Sequence, residues 1–204
     1  LSTSAKRLAQ SLVRNTVLTS LALPQNPLGS KGAGYLANML EHNSTIRYLD
    51  LESAGFDKPA ADALGRAISK NATLTQVDLS DNNMGAQGIR YIAEALHRNH
   101  TLKLIRLDGV SAGIVGAEFL ARALARNDTL ISLSFANNNI RNPGAKAFAN
   151  ALFENITLQS IDLSFNGFDS IGGGNIVSAL ATNSDVDRDH NTLELSVDMV
   201  GNVG

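Results

Sequence analysis

Asn71–Arg98 reads NATLTQVDLSDNNMGAQGIRYIAEALHR, and most of the 204-residue chain is a copy of it. The opening asparagine recurs at Asn15, Asn43, Asn71, Asn99, Asn127, Asn155 and Asn183, each 28 residues after the last. A fixed period of this size marks a repeat architecture, in which each unit is one supersecondary element that buries its apolar face only against its neighbours.

With the asparagine as position 0, position 3 is Leu18, Ile46, Leu74, Leu102, Leu130 and Leu158. Position 6 is Leu21, Leu49, Val77, Ile105, Leu133 and Ile161, and position 8 is Leu23, Leu51, Leu79, Leu107, Phe135 and Leu163. Positions 6 and 8 alternate with polar or small residues, the two-residue period of a short half-buried strand. From Gly85 the period changes. Ile89, Ile92, Ala93 and Leu96 form the apolar stripe of an amphipathic helix. Position 24 is alanine at Ala67, Ala95, Ala123, Ala151 and Ala179, which lets the helix lie close on the strand layer. The asparagine after each helix tolerates the left-handed conformation that ends one, so a left-handed stop is expected at every period.

The pattern L-x-x-L-x-L-x-x-N, followed by the helix half G-x-x-x-L-A-x-A-L-x-x-N, resembles the leucine-rich repeats. At 28 residues it is similar to their ribonuclease-inhibitor-like class, which includes ribonuclease inhibitor, the Ran GTPase-activating protein and the repeat domains of NOD-like receptors. The resemblance implies a right-handed α/β solenoid, a horseshoe with parallel strands on the concave face and helices on the convex face. It covers nearly the whole chain as one domain, 1–204. The parts are a partial repeat helix at 1–14, six repeats at 15–42, 43–70, 71–98, 99–126, 127–154 and 155–182, and an irregular C-terminal repeat at 183–204 with a final strand. The resemblance also implies a ladder of asparagine side chains at position 11. Asn26, Asn82, Asn138 and Asn166 supply it, and Ala54 and Val110 are expected to break it.

The last repeat departs most from the pattern. Asp189 and Asn191 stand where aliphatics belong, and the motif returns late: VDMVGN at Val197–Asn202 matches VDLSDN at Val77–Asn82. Ser184–His190, SDVDRDH, reads as an inserted polar loop. The helix before it carries Gly172, Gly173 and Gly174, each costing about 0.5–1 kcal/mol against alanine, so this helix is expected to begin late or fray. No capping segment or initiating methionine precedes Thr3–Val13, which reads as the helix half of a partial repeat, so a longer parent chain is expected.

Composition excludes several classes. Seventeen Lys and Arg against 19 Asp and Glu give a formal charge of −2, no case for nucleic acid or an anionic membrane surface. The chain has no cysteine, hence no disulfide and no thiolate metal site. No apolar run of about 18 residues exists to span a membrane, and LSTSAKRLAQ lacks a signal-peptide pattern. Asn43, Asn71, Asn99, Asn127 and Asn155 each head an Asn-x-Thr sequon. Read as helix stop and strand start, they are scaffold, and a secretory protein would expose all five to glycosylation. A cytoplasmic location is therefore expected, or host cytoplasm for a bacterial effector.

Chemistry is sparse. Asp185, Asp187 and Asp189 have calcium-loop spacing, but His190 and Ser196 stand where such a loop has Gly and Glu, so a solvated acidic loop is favoured. Gly172–Gly174 at a helix start has phosphate-binding character without the lysine of a P-loop. The scattered histidines form no nucleophile–base set. No catalytic residue, cofactor or metal site is expected.

The residues the repeat leaves free are those at strand positions 5, 7 and 9, which alternate away from the core onto the concave face. Strands about 4.8 Å apart bring all six rows within roughly 25 Å. Asp50, Glu52, Asp78, Asp108 and Asp162 make the face acidic around Arg106, and Tyr48, Gln76 and Leu104 add bulk of the kind that anchors interfaces. These nine residues are the candidate partner-binding set, and the expected function is a non-catalytic module binding a protein with a basic surface. The resemblance leaves two alternatives open. One is a GTPase activator of the Ran type, from which no specific residue carries over; the other is a sensing or autoinhibitory segment of a NOD-like receptor or bacterial effector.

Overall fold

Each period folds as a strand, a turn and a helix, because its apolar residues switch from a two-residue to a helical spacing halfway through. The computed structural model describes residues 2–184 and 196–202. Helix α1 (Ser2–Leu12) is followed by β1 (Ser20–Ala22), α2 (Gly29–His42), β2 (Tyr48–Asp50), α3 (Lys58–Lys70), β3 (Gln76–Asp78) and α4 (Gly85–Arg98). Then come β4 (Leu104–Arg106), α5 (Gly113–Leu124), β5 (Ser132–Ser134), α6 (Arg141–Glu154), β6 (Ser160–Asp162), α7 (Ser170–Ser184) and β7 (Ser196–Asp198). The strands form one parallel sheet in chain order, and each helix packs on the next, which makes the molecule an open α/β solenoid. Equivalent positions pair across every strand junction, from Leu21 beside Leu49 to Ile161 beside Val197.

The core runs unbroken between sheet and helices. Leu74, Leu102 and Leu130 at position 3 are at most 1% exposed, as are Val77, Ile105 and Leu133 at position 6. Phe135 and Phe148 meet in it with ring centroids 5.6 Å apart. At the first strand the stacking ends, and Leu18 is 38% exposed.

The period asparagine does not stop helices in the expected way. Asn43, Asn71, Asn99 and Asn155 are extended, with φ between −89° and −72°. Their side chains do the work instead. Asn99 Nδ2 donates to the carbonyls of Ile68 (2.7 Å) and Asn71 (3.0 Å) in the two preceding repeats, and its Oδ1 accepts from the N–H groups of Thr101 (2.9 Å) and Leu102 (2.7 Å). One amide thus satisfies the open end of the previous helix layer and the start of its own strand, which explains why the position admits no substitute along the chain. Asn43, Asn71 and Asn155 repeat the pattern, Asn127 keeps all of it but the second donation, and all five are buried. The five sequon asparagines are therefore part of the scaffold and buried in the folded chain.

The left-handed residues lie elsewhere, at positions 10, 12 and 14, and position 10 is the one that recurs in all six repeats. Gln25, Ser53, Asp81, Asn137 and Phe165 have φ between 51° and 57°, and Gly109 shares the conformation. The turn imposes it whatever the side chain, so five of these residues sit in a region that ordinary residues avoid.

The position-11 ladder has the breaks that the sequence predicts, but they fall elsewhere than in the repeats that lack the asparagine. Asn82 Oδ1 reaches the N–H of Phe56 in the Ala54 repeat (2.9 Å), and Asn138 Oδ1 accepts from Val110 (3.1 Å) and Ala112 (3.2 Å). Each asparagine serves the turn before it, so the gaps left by Ala54 and Val110 fall one turn earlier, at Asn26 and Asn82, where backbone bonds from the Leu28 N–H to the Ala54 carbonyl and from the Gly85 N–H to the Val110 carbonyl tie the coils. Helix α7 also differs from expectation: it begins at Ser170, in phase with the others. Asp169 Oδ1 accepts from the Ile171 N–H (2.8 Å), which caps the first turn. Gly172 is there for space, since a Cβ would sit 2.8 Å from Asn142 Oδ1 and 2.7 Å from Phe168 Cβ.

Candidate functional site

The register places the expected rows side by side. Ser20, Tyr48, Gln76, Leu104, Ser132 and Ser160 form one line across the sheet, and Ala22, Asp50, Asp78, Arg106, Ser134 and Asp162 the next. The strands are three residues long, so position 9 lies in the following turn rather than on the strand. Tyr48 and Leu104 are half-buried, while Gln76 and Arg106 are exposed. Tyr48, Gln76, Asp78, Leu104 and Arg106 line an open pocket of about 180 Å³.

Beside this pocket the carboxylates of Asp50, Glu52 and Asp78 crowd together, with one oxygen of each within 4.8 Å of the others. Among the described residues this is the group that could share a cation. Burial, then the charges of Asp78 and Asp50, pushes the Glu52 carboxyl above the usual range. Burial and the same two neighbours raise the Tyr48 hydroxyl. Arg106 opposes both shifts without cancelling them. The site carries an excess of negative charge that a cationic group would relieve.

The scaffold nevertheless claims part of that acidity, contrary to the expectation that these residues are free. Asp50, Asp78 and Asp162 each turn an Oδ1 back to accept the N–H two residues on, from Glu52 (3.1 Å), Ser80 (2.9 Å) and Ser164 (2.8 Å). This Asx turn ends the strand and sets the following left-handed bend. Repeats with Arg106 and Ser134 at this position lack the acceptor; the Ser80 hydroxyl takes the Asp108 N–H (3.2 Å) in the first, and in the second the acceptor is Asp108. Its Oδ1 takes the Ala136 N–H (2.7 Å), and its two oxygens accept from the Ser134 hydroxyl (2.7 and 2.9 Å). Burial holds the Asp108 carboxyl above its usual range, against those same bonds. Asp108 is therefore a turn-building residue, and Asp162 lies three strands from Asp78. Tyr48, Asp50, Glu52, Gln76, Asp78, Leu104 and Arg106 remain as one contiguous patch.

The other sequence candidates fare differently. Asp185, Asp187 and Asp189 lie outside the described residues. The N–H groups of Ile171 and Gly173 at the start of α7 are bonded to Asp169, so the glycine run does not present a set of free donors to a phosphate. No helix among the described residues is long and apolar enough to cross a membrane.

One feature of the convex side is absent from the sequence candidates: a groove between α4 and α5 lined by arginines. Its signal was available at position 27, which reads His42, Lys70, Arg98 and Arg126 in successive repeats.

The fold and the repeat identify the class. The Leucine Rich repeat family matches residues 14–37, 70–93, 126–149 and 154–177. The matched segments are leucine-rich repeats, and the other periods share their length, strand and helix, so the chain has the fold of a leucine-rich repeat solenoid, similar to the ribonuclease-inhibitor-like class. Among solved structures it is similar to leiomodin-1 actin-binding site 2, with a TM-score of 0.55 and 18% identity over 91% of this chain and 90% of that one. It is also similar to the tropomodulin C-terminal domain of Caenorhabditis elegans, with a TM-score of 0.56 and 12% identity over 90% of this chain and 93% of that one. At these identities the likeness concerns the fold. No curated protein matches the chain.

Proposed function

We propose that the chain is a non-catalytic protein-interaction module that holds a basic partner surface on its acidic concave face. The observation that carries this reading is the crowding of the Asp50, Glu52 and Asp78 carboxylates beside the pocket flanked by Tyr48 and Leu104. A partner lysine or arginine placed there lowers the repulsion among three like charges, and the two half-buried apolar side chains supply the anchor contact that such interfaces use. A solenoid suits the task because its repeating core leaves an extended face whose residues vary without loss of the fold. One of the structural neighbours is described as an actin-binding site, which makes actin one protein to test.

The test removes charge without removing the turns. Asp50→Asn, Glu52→Gln and Asp78→Asn together abolish the negative cluster, while asparagine keeps the oxygen that accepts the N–H two residues on. Affinity for a labelled lysine-rich peptide, measured by titration calorimetry, is expected to fall about tenfold or more in the triple variant. Unchanged affinity, with an unchanged circular dichroism spectrum, overturns the concave-face assignment.

A further inference from the structure

We infer that the groove between α4 and α5 is a second docking site, for an acidic peptide segment of a protein partner. It encloses about 380 Å³ and is lined by Arg90, His97, Arg98, Arg122 and Arg126 around a floor of Ala93, Phe119 and Ala123. That volume falls in the range of about 300–1,000 Å³ typical of binding clefts, with the usual mix of apolar floor and convergent polar groups.

Most of the charge in the groove is not spent within the molecule: Arg90 lies over the Tyr91 ring at 5.1 Å and near Glu94, and the other arginines have no such partner among the described residues. Glu94 is the acid in its lining, and it sits 3.9 Å from Arg90 Nε, too far for a hydrogen bond. That Nε is buried and has no hydrogen-bond partner, a state that native structures rarely leave unexplained. Among the described residues no ion pair involves Arg98, Arg122 or Arg126. The neighbouring cleft between α3 and α4 shows the alternative: there Arg66 is paired with Asp62 at 2.8 Å. Guanidinium groups are planar forks matched to carboxylates, so several converging on one groove select a ligand with more than one acidic side chain. Phe119 is half-buried in the floor, which selects an apolar residue between those acids. The occupant is thus a peptide with Asp or Glu on both sides of a leucine or aromatic residue, on the opposite face of the solenoid from the acidic patch.

Fluorescence polarisation with a labelled peptide of Asp and Glu around a central leucine tests this directly, with its Asn and Gln counterpart and a single-stranded RNA as companions. The acidic peptide is expected to bind the wild type, weaken with added salt, and lose about tenfold or more in affinity in Arg98→Glu with Arg122→Glu. Both residues are solvent-facing on helices, and circular dichroism confirms that the variant is folded. The concave triple variant should bind the acidic peptide normally, which separates failure of this site from failure of the proposed function. Three results overturn the inference: peptide binding indifferent to the arginine reversals, RNA bound more tightly than the peptide at equal salt, or a wild-type dimer in sedimentation that the reversals dissolve, which would make a second copy the occupant.

Discussion

The two charged faces of this solenoid use their charge in opposite ways. On the concave side the carboxylates of Asp50, Asp78, Asp108 and Asp162 each accept a backbone N–H, so part of their acidity builds the turns that follow the strands. In the α4–α5 groove Arg98, Arg122 and Arg126 make no ion pair among the described residues, and Arg90 Nε lacks an acceptor. The contrast teaches that a charged residue at a variable repeat position is not thereby free for binding. Its hydrogen bonds decide how much of it is left over. Glu52, which closes no turn, and Asp50 and Asp78, which keep a second oxygen, are the surplus on one face. The guanidinium groups of Arg98, Arg122 and Arg126 are the surplus on the other.

The comparison breaks altogether if the shared core fails. Leu79→Ala opens a cavity at a fully buried position between β3 and the helix layer, and is expected to cost about 2–5 kcal/mol in chemical denaturation, disabling both faces together. A melting temperature unmoved by that change contradicts the repeat register.

The next test separates turn-building charge from surplus charge. Asp108→Ala strands the Ala136 N–H and the Ser134 hydroxyl, and should cost about 1–3 kcal/mol in urea denaturation. Arg122→Ala, in the groove, is expected to stay within about 0.5 kcal/mol of wild type. Equal costs for the two erase the distinction drawn here.

A smaller effect is expected at Glu52. Because its folded carboxyl titrates above the ordinary range, the stability it contributes is present below that range and is lost as pH rises through the folded value. Glu52→Gln imitates the protonated form. It is expected to be slightly more stable than wild type at neutral pH, with the difference vanishing on acidification, as read from urea midpoints across pH. A difference that grows on acidification refutes the crowded-carboxylate account.

The subtlest effect concerns binding. A cationic partner lowers the raised Glu52 carboxyl, so association releases protons and affinity should fall as pH drops into the carboxylate range. Calorimetry in two buffers of different ionisation enthalpy reads the released protons; none, at a pH just above the usual glutamate range, argues that the partner does not approach Glu52.

Much of this was legible in the residues. A 28-residue period carried by Leu74, Val77, Leu79, Ile92 and Leu96 determined the strand, the helix and the stacking, and the alternation around Val77 placed Gln76 and Asp78 in rows with Tyr48, Asp50, Leu104 and Arg106. Burial is the same demand at the same position in every copy, so it prints itself on the sequence as a repeat. What the tertiary structure decided was the fate of each polar atom. Asn99 bonds Ile68, 31 residues earlier, and Asp108 serves Ala136, 28 residues later. Such partners are set by how one coil stacks on the next, at distances and angles that spacing along the chain does not carry. The same reason hid the α4–α5 groove, whose arginines come from two repeats and converge only once their helices lie side by side.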